Sequence, residues 1–221
     1  MQFLEAWTHF ERDGFTQLHL IRLLVPAALM LLAVFLPGRR VARGLALGLA
    51  ASIAALPDLG PTPLVAAWCA LWLVVARLVG SGRRNGQLRV QRGGALESGT
   101  TGLLLGVLLL ALMVVAVGRE ELSAEVTRRV SYGLLVVGLG LVHLMVRRDV
   151  ARGRFALATL GLGLQVLERA AQDAAVPATA SAGLAVWAGT ALAVALASRI
   201  TRARQIGAGS AWVSDAHDLH D

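Results

Sequence analysis

From residue 18 onward the chain alternates between long apolar runs and short polar knots, and the runs have the length of a bilayer crossing. Seven runs can be drawn, at about 18–36, 43–57, 62–79, 99–117, 130–146, 155–175 and 182–198. They reach or approach the ~20 residues that an α-helix needs to cross a hydrocarbon core. The pattern predicts an all-α integral membrane protein with about seven transmembrane helices. The two shortest runs, 43–57 and 130–146, fit if the bilayer thins locally or if the helices extend into their flanks. Only "LPDLGP", a tight turn with two prolines, separates the second run from the third.

The polar knots carry the orientation. Fourteen arginines fall in alternate connections: Arg39, Arg40 and Arg43; Arg83, Arg84, Arg89 and Arg92; Arg147, Arg148, Arg152 and Arg154; Arg199, Arg202 and Arg204. The opposite side has Arg12, Arg119, Arg128 and Arg129, the last three sharing their loop with Glu120, Glu121 and Glu125. The positive-inside rule then predicts an outer N-terminus and a cytoplasmic C-terminus. Residues 1–17 place Phe3, Trp7 and Phe10 at helical spacing, which predicts an amphipathic segment on the outer surface. Without a basic stretch before an apolar core, they are not expected to be a cleaved signal.

The expected organisation is an outer segment (1–17), an N-terminal three-helix unit with its loop (18–98), a linking helix and outer loop (99–129), a C-terminal three-helix unit (130–204) and a polar tail (205–221). A duplication is suggested because "RRVARGLALGLA" at 39–50 resembles "RRDVARGRFALATLGLG" at 147–163, and Trp68 echoes Trp187.

Composition agrees with the pattern. The chain is 56% hydrophobic and only 16% charged, against about a quarter charged in soluble domains. The net charge of +7 comes wholly from arginine, a bias that points to a bacterial source and hence to the inner membrane. Because the arginines flank the runs, nucleic acid is not an expected partner; the bilayer is. The single Cys69 excludes an intrachain disulfide.

Motifs of soluble enzymes are missing. "GLGLVH" and "LGLGLQ" lack the spacing of a nucleotide loop, and their glycines read as packing residues, as do the small-xxx-small pairs in "GLALG" and "GLLLG". Two span histidines invite a haem, but His19 begins the first run at the outer side and His143 lies about thirteen residues into the fifth, ~20 Å deeper. They cannot share one iron, so no cofactor or metal is expected. "DAHDLHD" near the C-terminus reads as a solvated acidic tail.

The sixth run holds the charges that are hardest to move out of a membrane. Gln165, Arg169 and Asp173 recur every four residues on one face, with Glu168 and Gln172 beside them. An Arg169–Asp173 pair would cancel its own charge and leave Glu168 without an obvious partner in its helix. Intramembrane carboxylates are costly and usually functional. Glu168 is therefore the first candidate for proton transfer and His143 a remote second; the alternative is a run that ends early, with the cluster among headgroups.

The stretch from Tyr132 to Arg204 resembles the small three-helix subunit of respiratory complex I. It is still more similar to the C-terminal half of hydrogenase-4 component E, of energy-converting hydrogenase and formate hydrogenlyase complexes. The basic knot "RRDVARG", the glycine-bearing span after it, the short turn "DAAVPATAS" and the final helix ending in "ASRITRAR" carry the likeness. The resemblance implies a subunit that is not catalytic alone, sits within an oxidoreductase complex and packs against other integral membrane subunits. It also implies a glutamate soon after the basic knot, on the lateral proton path. Here those positions fall on Ala158 to Gly161, which do not ionise, and the seventh run lacks an acid. Either Glu168, two turns beyond Gly161, has taken over that role or this copy no longer conducts. Two other classes remain open: a structural or assembly subunit without a transport role, and a stand-alone small-solute transporter.

Overall fold

A computed structural model describes Val25, residues 62–81, Leu104, residues 106–108, Ala111 and residues 123–146, 150–173 and 182–207. Among them every element is helical and no strand occurs. The elements are α1 (Thr62–Ser81), α2 (Ala124–Val146), α3 (Val150–Asp173) and α4 (Ala182–Gly207). They cover the third, fifth, sixth and seventh expected spans. The spans at 18–36, 43–57 and 99–117 lie outside the described residues, apart from Val25, Leu104, Gly106, Val107, Leu108 and Ala111, all helical.

Three boundaries differ from expectation in one direction. α2 begins at Ala124 rather than 130, α3 at Val150 rather than 155, and α4 runs to Gly207 rather than 198. The start of α2 shows why. The Ser123 hydroxyl accepts the Val126 N–H at 3.4 Å, and its carbonyl accepts the Thr127 N–H at 2.9 Å, which caps the helix. Glu125 stands in the first turn, where the helix dipole favours an acid, and pairs with Arg128 at 2.8 Å and Arg129 at 3.1 Å. Charge marks where an apolar run stops, and a helix with paired charges goes on past that point.

α3 is the centre of the bundle and runs antiparallel to the other three. Against α2, the backbones close on each other at glycines: a Cβ at Gly163 would stand 2.7 Å from the Val137 nitrogen, and one at Gly140 would stand 3.0 Å from the Leu160 nitrogen. These glycines pack helices, as the sequence led one to expect. Against α1, the Trp72 and Phe155 rings meet at 6.0 Å between centroids. Against α4, Gly161 abuts Thr190. The shared core is made of Trp68, Trp72, Leu135, Leu139, Leu162 and Val194.

Polarity is arranged inside out. α3 carries the polar cluster yet is enclosed, while apolar α4 touches the bundle along the narrow seam of Gly183, Thr190, Val194, Ala197 and Thr201. Thr190, Ser198 and Thr201 turn their hydroxyls back onto carbonyls of their own helix, four residues earlier, at 2.7 Å. The outward side of α4 exposes Leu184, Leu192, Leu196 and Ile200, each at least half accessible. By length and composition, two described helices can cross a membrane, from Glu125 to Met145 and from Gly183 to Gly207. The apolar part of α1, Thr62–Leu78, is shorter.

Candidate functional site

The polar residues of α3 form one connected network. The amide nitrogen of Gln165 donates to Glu168 Oε2 at 2.8 Å, and the amide nitrogen of Gln172 donates to Oε1. Arg169 Nη1 donates to Gln172 Oε1 at 3.0 Å. From α1, the Trp68 indole N–H donates to Gln165 Oε1 at 3.4 Å. Trp68 and Gln165 are fully buried, whereas Glu168, Arg169 and Gln172 are half-buried.

This corrects the expectation that Glu168 lacks a partner in its own helix. It has two, three residues before it and four after, each filling one carboxyl oxygen. Long glutamine side chains reach across the boundary between adjacent helix faces, so the sequence's division into two faces does not separate them. Asp173 is the last residue of α3; its side chain, and with it the expected Arg169–Asp173 pair, is outside the described residues.

α4 closes the site from the side. A Cβ at Gly183 would stand 2.9 Å from the Gln165 amide nitrogen and 3.3 Å from Glu168 Oε2. The absence of a side chain at 183 thus lets the first turn of α4 approach the carboxyl. The positive end of a helix dipole favours negative charge there. Three helices converge on Glu168: α3 supplies the amides, α1 the indole and α4 its first turn.

Glu168 is level with the start of α4 and five residues from the end of α3, so ~8 Å from that end. The helix itself continues through the cluster to Asp173. The site lies near one end of the bundle.

His143 is buried on α2, but the structure does not bring it to Glu168. The α2–α3 register set by Gly163 with Val137 and Gly140 with Leu160 puts His143 opposite Leu157, about eleven residues from Glu168 and hence ~17 Å along the bundle. The two proton-transfer candidates stand at opposite ends.

Sequence reasoning missed Trp68 and Gly183 as site residues. A tryptophan in an apolar span carries a signal that could have found it, since a buried indole N–H usually has an acceptor. Its proposed counterpart Trp187 behaves differently: it is half-buried, and its Nε1 has no hydrogen-bond partner among the described residues. Among the described residues, no three His, Cys, Asp or Glu side chains gather in a metal-binding arrangement.

The ends of the bundle differ in charge. The end with the network also holds Glu125, which pairs with Arg128 and Arg129. The opposite end holds Arg77, Arg154, Arg199, Arg202 and Arg204, with no acidic side chain among the described residues. Compared with protein-family models, curated proteins and solved structures, the chain finds no match.

Proposed function

We propose that this chain is a non-catalytic membrane subunit of a complex I-like, ion-translocating assembly in the bacterial inner membrane, with about seven spans, an outer N-terminus and a cytoplasmic C-terminus. The observation that carries the reading is the inverted polarity of the bundle. A helix with a carboxyl group is enclosed by three others, while the apolar helix beside it turns leucines outward. In water this arrangement is costly; in a bilayer or against other membrane subunits it is the stable one. The antiparallel α2–α3–α4 unit also suits the resemblance to hydrogenase-4 component E, and the arginine-rich end of the bundle suits a cytoplasmic face.

In this reading Glu168 is the proton-transfer residue, and the outward face of α4 meets lipid or an antiporter-like neighbour. A second reading has its own support: with both carboxyl oxygens filled by amides, Glu168 is also well suited to holding α1, α3 and α4 together without any transport.

Purification from the native host in mild detergent, followed by proton-uptake assays on vesicles with Glu168→Gln, tests both readings. The expected result is a large hetero-oligomer whose translocation per assembled complex falls sharply in the variant. A complex that assembles and pumps normally removes the proton role. Recovery as a homo-oligomer removes the subunit reading and favours a transporter.

A further inference from the structure

We infer that the Glu168 network is polarised, closed on its Trp68 side and able to open only on its Arg169 side, where Gln172 turns over to accept a hydrogen bond from the protonated carboxyl. This deepens the proton-transfer reading and rests on it for its function, though the polarity itself follows from geometry.

An indole N–H and a guanidinium can only donate hydrogen bonds. Trp68 donates to the Gln165 oxygen and Arg169 donates to the Gln172 oxygen. Each amide is therefore turned with its nitrogen toward Glu168, and these partners fix the choice between amide oxygen and nitrogen. The carboxyl group receives a donor on each oxygen. A proton arriving there needs an acceptor that neither amide offers in this orientation.

One amide must turn over. Turning Gln165 would aim its nitrogen at the Trp68 N–H, two donors face to face, where both residues are fully buried and water cannot intervene. Turning Gln172 would set its nitrogen against Arg169, but both side chains are half-buried near the end of the bundle. Water or a headgroup can take up the released guanidinium there. Gln172 is thus the movable member and Gln165 the fixed one.

The charged and titratable groups around the carboxyl do not upset this order. On α3 the neighbour is Arg169; α1 contributes the uncharged Trp68 and α4 the uncharged first turn at Gly183. The Glu125, Arg128 and Arg129 group of α2 lies at the same end of the bundle and is internally paired.

Infrared difference spectroscopy of the full chain in lipid, on stepwise acidification, tests the inference. The carboxyl band is assigned by its loss in Glu168→Gln, the guanidinium band by Arg169→Lys and the indole N–H band by Trp68→Phe. The expected result, on protonation of the carboxyl, is a shift of the guanidinium band while the indole band stays still. In Gln172→Leu, protonation should no longer move the guanidinium band, which keeps the test valid if one assignment variant fails to fold. A shift of the indole band, of both bands or of neither overturns the inference. The spectra do not depend on translocation. A polarised network in a complex that pumps normally as Glu168→Gln sinks the proton reading alone; a pumping defect without the spectral pattern sinks the polarity alone.

Discussion

Gly161 and Thr190 touch so closely that a Cβ at 161 would collide with Thr190 Oγ1 and lie 2.7 Å from its Cβ. Gly161→Ala should therefore force α3 and α4 apart. The expected loss is about 1–3 kcal/mol, the range for overpacking. Thr190→Ala should rescue it only in part, since the Thr190 Cβ is itself in the way. Gly153, with nothing within 4 Å of an added Cβ, is the control. Unfolding in mixed micelles would check this, and equal stability of Gly161→Ala and Gly153→Ala would refute the close packing.

Trp68→Phe keeps most of the packing of a fully buried side chain and removes one N–H. The stranded Gln165 oxygen should lower stability by about 1–3 kcal/mol. Trp72→Phe serves as the comparison, because Trp72 Nε1 has no hydrogen-bond partner to lose. The same unfolding assay decides, and an equal response of the two variants would argue that the Trp68 bond contributes nothing.

Segregation of the arginines predicts sidedness. A reporter fused to the C-terminus, or inserted in 83–92, should behave as cytoplasmic. One inserted in 174–181, after α3, should behave as periplasmic. Identical behaviour of the C-terminal and 174–181 fusions would overturn the crossing of the membrane by α4.

The two sides of α4 should differ in lipid accessibility. Spin labels at Leu184, Leu192 and Leu196 should be quenched by a lipid-soluble relaxant when the chain is purified alone, and labels at Thr190, Val194 and Thr201 should be protected. Protection of the first set in the native complex, but not in the isolated chain, would identify this face as a subunit contact.

Hydropathy made the helical class legible and found four spans where helices exist. It failed at their ends. The paired Glu125 and the "ASRITRAR" stretch lie in helix, and the Ser123 cap starts α2 before its apolar run, because hydropathy reports where hydrocarbon stops and backbone hydrogen bonding continues past it. The cluster at Gln165, Glu168, Arg169 and Gln172 was visible as a group of residues. Its wiring was not, since faces drawn at 100° per residue take no account of a glutamine's reach. Trp68 and Gly183 were hidden for another reason: a donor 97 positions away and a residue that matters by lacking a side chain leave no local pattern.

The enclosure of α3 bears on how the chain is made. Arginines near one end and Glu168 and Arg169 near the other make it the helix a bilayer would accept least readily, at roughly 2.5–3.5 kcal/mol for each charge carried to the centre. Under the membrane-subunit proposal, α3 could not simply be released into lipid on leaving the ribosome. It would have to wait at the insertion channel beside α2 until α4 emerges to cover Glu168, so that a later helix commits an earlier one.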